Sequence, residues 1–361
     1  MIEISDVVAA GLLRGNQRRY IRVESWYDDA LVDDDIPVDA GQEEVDRGSS
    51  VPERLTLTVP KRRRGVSYSP TAVDSPLAAN GQMLRVLIGV GAGPREIEWL
   101  QRGWYVVTKS ETRGDAVEVE AAGLLWKVQE ARLVSPFQPS GTMQSTIRAL
   151  VEPAITVDFD SALVDRAVPA NSNYDDDRLG ALSITLAAWP AVADVNSEGY
   201  LYVTTADDAT DVSLALTSGI GGTVIEASGE SSREGVYNAV VAQGTTSDGG
   251  LVRGVAYDTT GPKRYGGPFN ELAVPLYFDS PLITTQAQAN SAATSRLKTL
   301  KRSTSTSYDV EMVPHPALQV GDRLTLTDAA LALDAVPVIV ENTRLPLTAD
   351  GGAMTLRVRT V

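Results

Sequence analysis

The sequence predicts a mainly β protein with an α/β middle. Three observations carry this reading. Alternating apolar and polar residues, rich in Val and Thr, recur at short spacing over residues 16–137 and again from residue 204 onward. Between residues 138 and 203 the apolar residues instead fall three and four apart. One long helical stretch interrupts the last third near 285–300. The expected division is an N-terminal β domain over 1–137, an α/β domain over 138–203 and a second β domain over 204–361 containing that helix. Exchange of strands between distant segments is compatible with this division.

The chain begins with a short amphipathic helix, Val7 to Leu13, capped by Ser5. Tyr20 to Trp26 then alternates at period two. The acidic turn Asp33-Asp34-Asp35 leads to Ile36-Pro37-Val38, and Arg54 to Val59 alternates until Pro60 ends it. Ser67 to Gly81 is rich in Pro, Ser and Ala and reads as a long loop. Met83 to Val90 is a strand closed by glycines. Gly103 to Thr108 and Ala116 to Glu120 are joined by Thr112-Arg113-Gly114-Asp115, a hairpin turn. Strands this closely spaced favour a small antiparallel barrel or a sandwich.

Pro139-Ser140-Gly141-Thr142 breaks that pattern. Met143, Ile147, Leu150 and Val151 then share one helical face. Leu179, Leu182, Leu186 and Trp189 predict a second helix, with Asp175 to Asp177 at its N-terminus, where negative charge suits the dipole. Gly199 to Val203 returns to strand. Val236 to Ala242 and Leu251 to Tyr257 read as partner strands across a glycine-rich turn. Thr285 to Leu300 is the long helix, with Arg296, Lys298, Lys301 and Arg302 in its last turns. Tyr308 to Val313, Arg323 to Thr327, Val336 to Asn342 and Met354 to Val361 complete the strands.

Composition narrows the function classes. The 361 residues (38.5 kDa) suffice for about two to three domains and a sizeable core. Hydrophobic residues are 43% and charged residues 22%, a globular balance. Lys and Arg number 32 against 47 Asp and Glu, a net charge of −15, which disfavours general binding to nucleic-acid phosphates. The absence of cysteine removes disulfides, Cys–zinc sites, iron–sulfur clusters and thiol nucleophiles. A single histidine, His315, removes multi-His metal sites. No run reaches the roughly 18 apolar residues of a membrane span. Glu3 and Asp6 precede the first apolar run where a signal peptide carries basic residues.

Few residues mark chemistry. Asp33 to Asp35 and Asp175 to Asp177 lack the alternating ligands and glycine of a calcium loop, and read as a solvated turn and a helix cap. No spacing marks a glycosidase carboxylate pair. His315 lies in Pro314-His315-Pro316, without a Gly-x-Ser-x-Gly elbow anywhere, and reads as structural. Gly219 to Gly222 reads as a hairpin turn rather than a dinucleotide loop. The tryptophans (26, 99, 104, 126 and 189) are scattered, as core anchors are. Lys61, Arg62, Arg63 and Arg64 form the densest basic run, a candidate partner contact alongside the plainer reading of a solvated loop. No catalytic, cofactor or metal residue is assigned.

The order of several stretches resembles tail-tip or baseplate hub proteins of long-tailed phages, especially those infecting actinobacteria. Helix Ser5 to Leu13, strand Tyr20 to Trp26, Val45-Asp46-Arg47 with Arg54 to Val59, Glu98-Trp99 with Gly103 to Val106, and Val117-Glu118-Val119 carry it first. Gly141-Thr142, Ile147, Val168-Pro169 and Arg178 to Leu182 continue it. Near the C-terminus come Gly235-Val236-Tyr237-Asn238, then Ser280 to Thr285 with Gln288-Ala289 and the helix. Pro316-Ala317-Leu318-Gln319-Val320-Gly321-Asp322 follows. Order and spacing, rather than any one motif, are specific.

This resemblance implies two tube-like antiparallel β-barrels linked by a small α/β domain. It implies a homotrimer whose pseudo-sixfold ring joins a sixfold tail tube or distal tail protein to a threefold tip. Such a hub forms or closes the DNA-ejection channel, contacts the tape-measure protein and carries downstream tip or fibre proteins. It has no enzymatic role, no cofactor, no sequence-specific nucleic acid and no membrane span, and it belongs to the virion tail tip after assembly in the host cytoplasm. Two rivals stand beside it: a hexameric distal tail or tube component, and a carbohydrate-binding or carbohydrate-hydrolysing surface β-protein.

Overall fold

A computed structural model of the chain describes all residues except 14–17, 94–95, 169–172, 190, 206–210, 231–232, 234, 247, 304–305 and 349–350, and the side chains of 302 and 303. Pro169 and the Arg302 side chain, both singled out above, therefore lie outside the described residues. The first part comprises α1 (Asp6–Leu12), β1 (Arg19–Tyr27), β2 (Ala30–Asp33), β3 (Ala40–Asp46), β4 (Glu53–Pro60), β5 (Arg62–Arg63), β6 (Val66–Ser67), β7 (Met83–Gly91), β8 (Ile97–Arg113) and β9 (Ala116–Gly123). The middle comprises α2 (Leu125–Glu130), α3 (Met143–Val151), β10 (Val157–Phe159), α4 (Arg178–Ala188), β11 (Ala191–Val195) and β12 (Leu201–Thr205). The last part comprises β13 (Val212–Thr217), β14 (Val224–Glu230), β15 (Ala239–Thr245), β16 (Leu251–Tyr257), β17 (Pro275–Asp279), α5 (Gln286–Ser303), β18 (Ser307–Met312), β19 (Arg323–Asp328), β20 (Leu333–Pro346) and β21 (Met354–Thr360).

The mainly β prediction holds, with a different closure. Thirteen strands join one sheet in the path β14-β18-β21-β20-β3-β4-β9-β8-β7-β1-β2, with β19 also on β20 and β13 on β19. Among the described residues no strand pair closes this path into a barrel. The seam between early and late strands is antiparallel, with Asn342–Pro346 of β20 against Gln42–Asp46 of β3. The 14 residues of β20 are long enough to serve β19 with one half and β3 with the other. Period-two burial drives the layering. Leu55, Leu57 and Val59 of β4, Leu324 and Leu326 of β19, and Met354, Leu356 and Val358 of β21 enter one core. Each such side chain contributes about 1.5–3 kcal/mol by leaving water.

Loop 68–82 is tied down rather than free. Ser25 and Ser110 donate to the carbonyls of Pro76 and Leu77 at 2.6 and 2.5 Å, and the buried Gln82 amide donates to Val73 at 2.6 Å. Ile36-Pro37-Val38 is not a strand. The Ile36 amide donates to Val23 at 2.8 Å and its side chain is buried, while Pro37 has no N–H for a ladder.

A second core joins α3 and α4 to the sheet β10-β12-β11. Thr142 and Ser145 form a capping box at the start of α3, whose buried Met143, Ile147, Leu150 and Val151 match the predicted face. Asp177 is the N-cap of α4, though its side chain makes no cap hydrogen bond. A third core lies between α5 and the sheet β16-β15-β17. There Gly254 is required by close approach: a Cβ would lie 2.3 Å from the Ala289 carbonyl carbon.

Two expectations about pairing change. Gly219 to Gly222 is a turn, with the Gly222 amide on the Gly219 carbonyl at 3.0 Å, but it does not close a hairpin. The strands it connects have other partners: β13 runs parallel to β19, and β14 antiparallel to β18. The sheets are also mixed rather than purely antiparallel, since β10 pairs β12 and β15 pairs β17 in parallel.

Candidate partner-contact site

The basic run forms a hairpin that projects from the end of β4. Arg62 opposes Ser67 and Arg63 opposes Val66, leaving a two-residue loop of Arg64 and Gly65. Both loop residues have positive φ, +51° and +87°, the conformation of a type I′ turn. Arg62, Arg63, Arg64, Gly65 and Val66 are exposed, and Lys61 is half-buried at the base.

The base is fixed to the sheet. The Lys61 amide donates to the Asp115 carbonyl at 2.7 Å, and the Tyr68 amide donates to the Lys61 carbonyl at 3.0 Å. Tyr68 is buried and its hydroxyl donates to Asp33 Oδ2 at 3.3 Å. Burial, then the Asp33 and Asp35 charges, push the Tyr68 phenol up to about 12, with Arg63 opposing. The result is a rigidly rooted prong with four adjacent cations. Their mutual repulsion is relieved by an anionic surface, so the chemistry suits an acidic partner.

The other singled-out residues separate. Asp33 serves the prong's root and accepts the Asp35 amide at 3.0 Å. Asp175 to Asp177 lie at the α4 N-terminus and are exposed. His315 is buried, and burial first, then Arg102, depresses its imidazole to about 4. Among the described residues no group of three or more His, Cys, Asp or Glu is placed to hold a metal ion. No helix among them is long and apolar enough to cross a membrane.

Two arrangements had no sequence signal. The first is a buried polar cluster. Arg102 Nε donates to Glu43 Oε2 at 2.8 Å, and the Tyr105 hydroxyl donates to Glu43 Oε1 at 2.5 Å. Arg102 also donates to the carbonyls of Pro316 and Leu318 at 2.6 and 2.9 Å. The turn to Gly321-Asp322 is thereby docked on β8, and Asp322 pairs with the Met1 amino group. Burial opposes the Arg102 charge, yet Glu43 outweighs it and raises the guanidinium pKa. Burial and then Glu43 hold the Tyr105 phenol well above its usual range.

The second is an open groove of about 500 Å³ lined by Trp26, Asp29, Arg85, Gln101, Trp104 and Tyr200 with Met83 and Glu198. The two tryptophans, scattered in sequence, meet edge to face at 5.7 Å. Arg85 stands 5.6 Å from the Trp104 ring and pairs with Glu24 at 3.3 Å.

No protein-family model matches the sequence, and no curated protein matches it. Solved structures do match over nearly the whole chain. A tail protein from Neisseria meningitidis MC58 superposes with a TM-score of 0.66 at 11% identity, over 94% of this chain and 96% of that one. The 43 kDa tail protein of prophage MuSo2 from Shewanella oneidensis gives 0.63 at 11% identity, over 94% and 98%. An E. coli type VI secretion component, described as structurally similar to T4 tail proteins gp27 and gp5, gives 0.52 at 11% identity, over 90% and 74%. The chain has the fold of these tail proteins.

Proposed function

We propose that this chain is a structural hub of a phage tail tip or baseplate. The observation that carries the reading is the near end-to-end likeness to two tail proteins. The likeness to a type VI component described through gp27 and gp5 supports the hub position in particular. On this reading three copies form a ring between a sixfold tail tube or distal tail protein and a threefold tip. The ring lines or closes the DNA-ejection channel, meets the tape-measure protein on one side, and carries tip or fibre proteins on the other. The chain acts without a cofactor and does no chemistry. Residues 1–137 and 204–361 are the two ring-forming parts and 138–203 the part between them. The Lys61 to Arg64 prong is a contact for an acidic neighbour in the tail.

Ring closure has a physical basis. A heterologous contact repeated with a closing rotation gives a cyclic assembly. The test is the mass and symmetry of the purified full chain, and its copy number in isolated tails. Three copies with threefold class averages are expected. Six copies with sixfold averages would overturn the hub in favour of a distal tail or tube component. The groove at Trp26, Trp104 and Tyr200 favours one second reading, a carbohydrate-contacting surface protein, which requires saturable glycan binding abolished by Trp104→Ala.

A further inference from the structure

One row of the large sheet is charged from end to end. Register sets Arg54 of β4 beside Glu44 of β3, and Glu44 beside Arg344 of β20. Arg344 stands beside Thr355 of β21, Thr355 beside Glu311 of β18, and Glu311 beside Glu226 of β14. Charges alternate at the β4 end, where Arg344 pairs with Glu44 at 2.9 Å. They fail to alternate at the β14 end. Glu311 and Glu226 stand directly opposite each other, and among the described residues neither carboxylate has an ion pair. Like charges so placed oppose strand pairing. Both line an open trough of about 450 Å³. The cations of that trough are already neutralised: besides Arg344, Arg357 is held by Glu230 at 3.0 Å and by Asp309 at 3.9 Å. Strand β14 is an edge of the sheet, so no further strand covers this end of the row.

The chain carries the complement elsewhere. Arg62, Arg63 and Arg64 of the prong are exposed, and among the described residues none has an ion pair. Prong and trough lie at different corners of the sheet. The row crosses β4 at Arg54, whereas the prong leaves β4 after Pro60, about 20 Å further along the strand. Strand β14 is the fifth strand from β4, about 24 Å across the sheet. We propose that the prong of one copy docks in the trough of a second copy, with its guanidinium groups on Glu226 and Glu311. The inference deepens the hub reading and rests on it for the presence of further copies. One contact then relieves two repulsions, that among the prong's cations and that between the opposed carboxylates. Guanidinium suits the task because its fork meets a carboxylate through two parallel hydrogen bonds. The rigid turn presents its cations with little ordering left to do on docking. The net repulsion between two acidic copies is screened beyond about 8 Å at physiological salt, so local complementarity decides the contact. Two separate surfaces of one chain make a heterologous contact, as ring formation requires.

The experiment is sedimentation velocity on the full chain over a range of concentration and salt. The wild type is expected to self-associate, more weakly as salt rises. Arg62→Glu, Arg63→Glu and Arg64→Glu together are expected to weaken association at least about tenfold, and Glu226→Lys with Glu311→Lys to do the same. All of these changes in one chain restore opposite charges across the contact, so that combined variant is expected to regain association. Unfolding cannot imitate such a rescue, and circular dichroism checks each variant. Glu226→Lys alters only an exposed side chain, so alone and combined with the prong changes it carries the test if the double Lys variant fails to fold. A folded variant of either surface with wild-type association would overturn the contact, as would a folded combined variant no better than its parents. Both results leave three copies per tail, and so the hub, standing. A wild type that stays monomeric throughout overturns the second copy as occupant, whatever its copy number in tails. If that monomer binds an arginine-rich peptide and loses it with Glu226→Lys, the trough takes a cationic partner of another kind.

Discussion

Arg102 and Glu43 form a buried ion pair at 2.8 Å, and the same guanidinium holds two carbonyls from a turn more than 200 residues away. The pair therefore does two jobs. It satisfies a carboxylate on β3 that faces the core, and it locks the Pro316 to Asp322 turn against β8. Both side chains are nearly inaccessible, so neither charge has water as an alternative partner.

Arg102→Ala is expected to destabilise by about 3–5 kcal/mol, because it leaves the Glu43 carboxylate buried and frees two carbonyls. Arg102→Lys should recover part of this, since an ammonium keeps the charge without the planar fork. The urea midpoint followed by tryptophan fluorescence measures both. A midpoint for Arg102→Ala within error of wild type would show that the pair contributes nothing.

Two buried groups impose opposite pH slopes. Burial raises the Glu53 carboxyl to about 7, with Asp194 and Glu43 adding to it. The folded state then binds more protons than the unfolded state between the ordinary carboxyl range and pH 7, so Glu53 lowers stability as pH rises through that window. His315, depressed to about 4, binds fewer protons folded than unfolded below about 6.5, so it lowers stability as pH falls. The slopes oppose one another between roughly pH 4.5 and 6.5. Glu53→Gln is expected to raise stability at pH 8 by up to about 3 kcal/mol and to steepen the acid-side loss. Denaturation midpoints from pH 4 to 8 measure both, and an unchanged profile sinks the assignment.

Local elements were legible because their signals are local. The α3 face, the Gly114 turn and the strand Leu251 to Tyr257 follow from periodicity and turn chemistry alone. Pairing was not legible. Nothing in Gln42-Glu43-Glu44 tells which carboxylate faces a core, because that depends on β20 arriving beside β3. That no strand pair among the described residues closes a barrel was not legible for the same reason: alternation fixes which face is buried, not which edge meets which. The prong's charge was legible, whereas its rigidity depends on Tyr68 reaching Asp33. The Trp26 and Trp104 groove was invisible because its two rings come from strands joined only through β7.

Gly254 gives a sharp steric test of the third core. A Cβ there would enter the backbone of α5 at Ala289. Gly254→Val is expected to displace α5 and cost at least about 1–3 kcal/mol locally. Protease cleavage within 286–303 should appear in this variant while the core of β4, β19 and β21 keeps its hydrogen-exchange protection. Equal loss of protection in both would show that the unit does not open independently.

The prong separates contact from stability. Arg62, Arg63 and Arg64 are exposed, so replacing all three by Glu is expected to change stability by no more than about 0.5 kcal/mol each. The urea midpoint of the triple variant is expected to stay close to that of wild type, which separates a loss of tail incorporation from unfolding. The incorporation defect should depend on salt, because a contact between exposed charges is screened. Gly65→Val acts through geometry instead: at φ +87° a β-branched residue is strained, which splays the turn while leaving every cation in place. If the prong works as a shaped contact, both variants lose incorporation in a tail-assembly assay. If only its charge matters, Gly65→Val assembles normally and the triple Glu variant does not. Normal assembly of both would remove the prong from the partner surface.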